Sequence, residues 1–507
     1  MRLFIESIEL TEIKEQLKQI LQLAWITMVT QFMIILPTIS SLMIAGHLNK
    51  ESLAATGMGI TVLNVMAFVV IIGLSTASEI LFAQTNGSSN RSSMGITVQK
   101  SLLIKTLATF LLSSILVHTN SILLLFGQTE EISQMTHEFI LACIPGMFGF
   151  TVLMVEIKYL QAQKIVKPCL ITGLLANALH VSYNLAFVYG LQIGIRGCGI
   201  ALSLTFWSWS LLLFAYIKIS KIYKDTWSGI HFDCLRNWSS FLKYGLPGML
   251  MLQIEMICFE IYAILSGLLG PVQLAIHIIA NEVVNVFFNA VFGITTAATV
   301  QIANHLGDGD ARKAKIATLL TIILAVVIPV LNSFILLSFH SVIPFIFSND
   351  QNVISLAKPL LLIVCLEVIF DGMMVIEGGI LRALGKHFYG AVINVCFLGI
   401  LSIPMAIYLM FWTSLHVMGA WITLSCSTCI IATCFFIKIY FTDWEEEIKR
   451  AQFNAGVQDA TGENKENTLL IDQSNNNFSK PTIVILRSIQ ATICVSIFIV
   501  SSVFSYF

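Results

Sequence analysis

Thirteen runs of about twenty mostly apolar residues, set apart by short polar stretches, occupy most of this chain of 507 residues. Inside hydrocarbon a backbone finds no water, so every N–H and C=O must be bonded within the segment itself. For a lone segment only the α-helix does that. The runs lie near 20–45, 56–81, 101–123, 139–160, 169–189, 197–217, 244–268, 274–302, 317–339, 359–381, 388–412, 417–440 and 483–504. An all-α integral membrane protein is therefore expected. With 11% charged residues, against about a quarter in soluble domains, a water-soluble fold is excluded. The 11 cysteines lie mostly inside the runs, with Cys426 and Cys429 at CxxC spacing inside one apolar run, and they read as small apolar residues rather than disulfide or metal ligands. His180 and His277 lack carboxylate or thiol neighbours at ligand spacing. No metal or cofactor site is read, and no basic stripe points to nucleic acid.

The basic residues orient the runs. Nearly all Lys and Arg fall in alternate connecting segments, beginning with the N-terminal one, whereas only Lys50, Arg196 and Lys358 fall on the opposite side. Lys105 and Arg487 lie within runs. Basic loops stay in the cytoplasm, so the N-terminus is expected inside and, after thirteen crossings, the C-terminus outside. The first residues, of mixed charge, resemble a short surface helix rather than a cleavable signal.

Six carboxylates lie inside the seventh, eighth and tenth runs, which contain no Lys or Arg: Glu255, Glu260, Glu282, Glu367, Asp371 and Glu377. An ionisable group at membrane depth is costly and normally faces a cavity or a transport path. Acids without buried bases point to cations or protons as the cargo. Glu255 and Glu260 are about 140° apart around a helix, whereas Glu367 and Asp371, four residues apart, share a face. Glu367 and Glu377 read as polar residues bonded between helices or lying near the cytoplasmic end, and Glu79 and Glu156 as interfacial acids near basic loops. Phe259 and Tyr262 have the spacing of packing aromatics, and Pro37 is expected to kink the first span.

The chain also repeats itself. Gly46, Leu53-Ala54 and Asn64-Val65 recur as Gly267, Leu274-Ala275 and Asn285-Val286, and Gly73, Ala77, Ala83 and Gly87 as Gly293, Ala297, Ala303 and Gly307, with one residue of slippage. Hydropathy does not dictate the loop glycines, so the match reads as a duplication. Six spans per half give both halves one orientation and a parallel repeat, with cargo between two lobes. The expected units are 1–19, a cytoplasmic segment; 20–217, an N-lobe of six spans; 218–243, a cytoplasmic linker; 244–441, a C-lobe of six spans; 442–482, a disordered cytoplasmic loop too polar to fold; and 483–507, an accessory thirteenth helix.

Several strings are similar to those of the multidrug and toxin extrusion family, particularly its animal branch. They are Gly46-His47-Leu48, Gly73-Leu-Ser-Thr-Ala77 running to Gln84 and Gly87, Lys158-Tyr-Leu-Gln-Ala-Gln163 with Pro168, Leu265-Ser-Gly-Leu-Leu-Gly270, and Gly378-Gly-Ile-Leu-Arg382 with Gly385-Lys386. The resemblance covers essentially the whole chain. It implies a V-shaped pair of six-helix lobes that exports organic cations across the plasma membrane against inward proton flow, working as a monomer. Carried over by position, it implies that Glu255, Glu260, Glu282, Asp371 and Gln31 bind substrate and protons. Three departures from the family pattern stand out: Met256 and Asn281 replace aromatics, and Ser78-Glu79 replaces Cys-Asp. A sodium-coupled or other-cargo exporter of the same fold is the alternative. A receptor is disfavoured by the duplication, and an intramembrane enzyme by the lack of HExxH, Gly-x-Ser-Gly or paired His sites.

Overall fold

The computed structural model describes residues 10–348 and 350–457. Among them every regular element is a helix. Twelve are long and apolar enough to cross a bilayer: α1 Leu10–Gly46, α2 Lys50–Gly87, α3 Arg91–Leu116, α4 Glu130–Ala162, α5 Lys167–Gly190, α6 Gly194–Ile219, α7 Trp238–Leu268, α8 Pro271–Gly307, α9 Ala311–Phe339, α10 Gln351–Ala383, α11 His387–Phe411 and α12 Val417–Tyr440. Each contains one of the first twelve sequence runs or most of it. The thirteenth run, 483–504, lies outside the described residues.

Local chemistry starts and bends these helices. Asn49 caps α2 by accepting from Ser52 N at 2.6 Å, Asp310 caps α9 from Lys313 N at 2.9 Å, and Asp350 caps α10 from Asn352 N at 2.8 Å. Pro37 sits inside α1, which runs unbroken through it. Proline lacks the N–H that would bond the carbonyl four residues back, and Asn177 of α5 donates to that freed Met33 carbonyl at 3.1 Å. Segments with π-helical turns interrupt α2 at Asn64–Phe68, α5 at Leu185–Gly190 and α11 at Val395–Ser402. The last two lie in repeat-equivalent spans and each follows an asparagine, Asn184 or Asn394.

Helices of the first half meet those of the second chiefly through α1 on α8 and α2 on α7 and α8. The closest approaches come in reciprocal pairs. Gly73 meets the Met249 backbone while Gly293 meets that of Met28; Gly87 meets Asn304 while Gly307 meets Gln84. Each pair is the other's image under the sequence repeat. Thr27 Oγ1 adds a bond to the Gly293 carbonyl at 2.8 Å. Small residues at such crossings let backbones come together where lipid supplies no hydrophobic drive.

Two expectations are corrected. The N-terminal residues from Leu10 do not form a separate surface helix but continue directly into α1. There Gln16 and Gln19 each accept from Gln301 Nε2 of α8, at 2.7 and 2.8 Å, so the extension is held by packing rather than by the membrane surface. The stretch expected to be disordered after α12 begins with a further helix, α13, Trp444–Asn454. Its composition is too polar to fold alone. It is ordered by a cap, Asp443 accepting from Glu445 N at 3.1 Å, and by the buried faces of Glu447 and Ala451.

Candidate functional site

The polar residues that the apolar spans carry fall into a buried acidic group and a buried mixed-charge group. In the acidic group, Glu255 of α7 and Glu367 and Asp371 of α10 are all buried and lie within electrostatic reach of one another. Glu367 and Asp371 share a face of α10, from which Glu367 reaches Thr428 of α12. Beside Glu255 is a cavity of about 20 Å³, lined by Met251, Phe288, Phe292, Gly378, Arg382 and Asn394 among others. That is room for about one water molecule. Asn394 Oδ1 and Arg382 Nε are buried without a hydrogen-bond partner in the chain, so a water there would have a donor and an acceptor to meet.

Of the residues assigned to the site from sequence, the structure therefore brings Glu255 and Asp371 together. Glu260 and Gln31 are half-buried and Glu282 is exposed, so these three stand outside the buried group. Glu367 accepts from Thr428 Oγ1 of α12 at 3.2 Å, as a carboxyl bonded between helices does. Glu377 is buried, and one of its oxygens is unpartnered. Tyr262, fully buried, bonds Ser402 of α11 at 2.5 Å, and Phe259 packs on Trp421 with ring centroids 6.2 Å apart. Both aromatics are packing residues.

The acids are not free of buried bases, contrary to the sequence reading. Arg382, counted there with a basic loop, is only 4% exposed and lies within electrostatic reach of both Glu255 and Glu79. A helical side chain leans toward its own N-terminus, so Arg382, one residue from the end of α10, lies back along the span. Gly378 lies one turn earlier, beside the guanidinium: a Cβ built there would lie 3.5 Å from it, an ordinary contact.

Glu79 and Glu156, expected at the interface, are also buried. Glu79 of α2 pairs with Lys158 of α4 at 3.2 Å, and Glu156 accepts from Ser210 Oγ at 2.9 Å. Lys105 of α3, with no exposed surface, donates to Ser75 Oγ at 2.9 Å. The helix α4 runs on to Ala162, which draws Lys158 into the packed bundle. The sequence signal was available: Lys158 falls within the fourth run, with no proline between Pro145 and it. Removing one partner of a buried ion pair typically costs about 3–5 kcal/mol, because the other charge is stranded. Lys158→Met should therefore lower the melting temperature in detergent sharply, and Lys158→Met with Glu79→Gln should recover much of the loss. Equal melting of the single and double variants would show that the pair is not coupled.

A second, larger cavity of about 460 Å³ opens at the end of the bundle that carries the basic loops, lined by Asn86, Arg91, Gln163, Lys164, Asn304, His305 and Asp308. It is a mixed-charge recess at the span ends and contains none of the six acids.

Comparison with known proteins agrees with this architecture. The MatE family model matches the chain twice, over residues 27–186 and 247–408, in the register of the sequence repeat. Multidrug and toxin extrusion protein 1 of Homo sapiens is 33% identical over 451 residues, covering 89% of this chain and 79% of the relative. The protein of that name from Oryctolagus cuniculus is 32% identical over 472 residues, covering 93% and 83%. The crystal structure of a eukaryotic MATE transporter, AtDTX14, superposes with a TM-score of 0.83 at 23% identity, over 88% of this chain and all of that one. A Vibrio cholerae MATE transporter, VcmN, in its bent form superposes with a TM-score of 0.75 at 15% identity, over 88% and 99%. The last two share the fold.

Proposed function

The chain belongs to the MatE family of multidrug and toxin extrusion transporters, and on that premise we propose that it exports organic cations across the plasma membrane in exchange for protons. The observation that carries the reading is the buried meeting of Glu255, Asp371 and Glu367. Three carboxyls with one arginine among them favour positive charge. A proton and an organic cation each neutralise the same group, so loading one expels the other. Exchange across the membrane needs that site to face each side in turn, and the ligands bias the turn only through their different affinities for the two states. The reciprocal glycine contacts support two six-helix lobes, 20–217 and 244–441, joined by the linker 218–243 and hinged against each other. Glu260, Glu282 and Gln31, less buried, would line the approach to the buried acids.

The basic end of the bundle is assigned to the cytoplasm by its Lys and Arg, with the thirteenth helix carrying the C-terminus outside. An epitope tag before Arg2 should stay hidden from antibody on intact cells, and one after Phe507 should be stained. The reverse pattern would overturn the orientation. The function itself is tested in proteoliposomes with an imposed pH gradient and a fluorescent organic cation. Accumulation toward the acidic side, collapsed by a protonophore and indifferent to sodium, is the expected result. Accumulation that follows sodium at fixed pH would favour the sodium-coupled alternative.

A further inference from the structure

The helix α13 bridges the two halves of the chain at the cytoplasmic end. Its first residues are fastened to the second half. Glu447, 4% exposed, pairs with Lys386 of the α10–α11 connection at 3.3 Å, and Lys386 also donates to Thr442 Oγ1 at 2.7 Å. Arg450 holds the other Glu447 oxygen at 3.0 Å. Trp444 and Ile448 pack on the core, and α13 lies against α8 and α9. Its far end is fastened to the first half. Asn454 Nδ2 donates to Gln84 Oε1 of α2 at 3.0 Å while also reaching Tyr244 Oη of α7 at 3.1 Å. Asn90 Nδ2 donates to the carbonyls of Ala455 and Gly456, both at 3.2 Å, and Ser93 Oγ to that of Ala455 at 3.2 Å. Those carbonyls are ones that the helix end leaves unbonded.

The bridge spans the place where the halves close most tightly, Gly87 on Asn304 and Gly307 on Gln84. Gln84 is thus both a partner of α13 and a member of the closing contact. Any motion that parts α2 from α8 at the cytoplasmic end carries Gln84, Asn90 and Ser93 away from Lys386 and Tyr244. With one end of α13 on each side, the helix cannot keep both sets of bonds. The side that yields is the first-half one, since it is made at frayed carbonyls and one asparagine, whereas the second-half one includes a buried ion pair and apolar packing. We propose that α13 is a cytoplasmic latch: its C-terminal end, residues 454–456, holds the cytoplasmic gate shut and must let go of α2 and Asn90 in every transport cycle. The inference rests on the reading of the protein as an alternating-access exporter.

The test uses the full chain with Asn90→Cys and Asn454→Cys, joined by a short bifunctional methanethiosulfonate that dithiothreitol reverses. Each substitution alone, in the same background of native cysteines and treated alike, is the control. Linking should cut organic-cation transport in proteoliposomes at least tenfold, and reduction should restore it. Linked protein that transports at the unlinked rate would overturn the latch. A second arm needs no transport and so tests the latch even where the reading of cation export fails. A reporter Gln163→Cys lines the cytoplasmic recess. Asn90→Ala with Asn454→Ala should raise its labelling by a membrane-impermeant maleimide from the cytoplasmic side several-fold. Unchanged labelling, in protein that still elutes as a single folded peak, would also overturn the proposal.

Discussion

Asp371→Asn should abolish pH-driven accumulation of an organic cation while leaving the protein folded and at the membrane. A gradient of one pH unit is worth about 1.4 kcal/mol per proton, enough to sustain about tenfold accumulation in a one-for-one exchange. The wild-type protein should approach that ratio and the variant should fall to about one. Asparagine keeps the shape of the side chain but can neither release a proton nor neutralise a cation. Asp371 is 5% exposed and lies within electrostatic reach of Glu255 and Glu367. Removing its charge leaves two acids against the buried Arg382, so residual cation binding should be weak rather than absent. Glu255→Gln should act in the same direction. Exposed Glu282 should be less sensitive, its charge being solvated where Asp371 is not. Full proton-driven accumulation in Asp371→Asn, at normal expression, would remove this carboxyl from the mechanism.

The long-range plan of the molecule was legible because it depends on quantities that single residues barely affect. A run of about twenty apolar residues must become a helix in lipid whatever its neighbours do, and all twelve described spans follow from that. The repeat was legible for a related reason: Gly73, Gly87, Gly293 and Gly307 mark places where two backbones touch, and such places tolerate no substitute. What escaped was the fate of charged residues near helix ends. Lys158 lies two residues from the end of its run and Arg382 one residue beyond its own, where hydropathy windows blur the last turn. The actual helices extend to Ala162 and Ala383 and draw both side chains inward. The depth of Glu79 was not visible, because its pairing with Lys158 between α2 and α4 is a tertiary fact, and neither was the reach of Arg382 toward Glu255. The helix α13 escaped for the opposite reason. Its own sequence cannot bury enough surface to fold, and its order comes from partners such as Lys386 and Gln84.

A second large effect is expected at the crossing of α2 and α8, where adding one methyl group should disable the protein. The Cβ of an alanine at 87 would strike the Asn304 carbonyl oxygen and lie 2.7 Å from its carbon; at 307 it would strike the Gln84 carbonyl and lie 2.8 Å from its carbon. These obstacles are backbone, so no rotamer change relieves them and the helices must separate. Overpacking typically costs about 1–3 kcal/mol. Alanine's better helix propensity returns only about 1 kcal/mol. Because the two glycines are images of one another under the repeat, Gly87→Ala and Gly307→Ala should lose melting temperature by similar amounts. Their transport should fall together as the closed cytoplasmic crossing loosens. Gly57, in the same helix α2, supplies the control: a Cβ there meets only Leu42 Cδ1 at 3.6 Å, an ordinary contact. Gly57→Ala should be neutral or mildly stabilising. If Gly87→Ala and Gly307→Ala instead melt and transport like Gly57→Ala, close backbone contact is not what holds this end of the bundle together. If only one of them fails, the two halves do not share the crossing equally, and the reciprocity seen in the contacts is not one of energy.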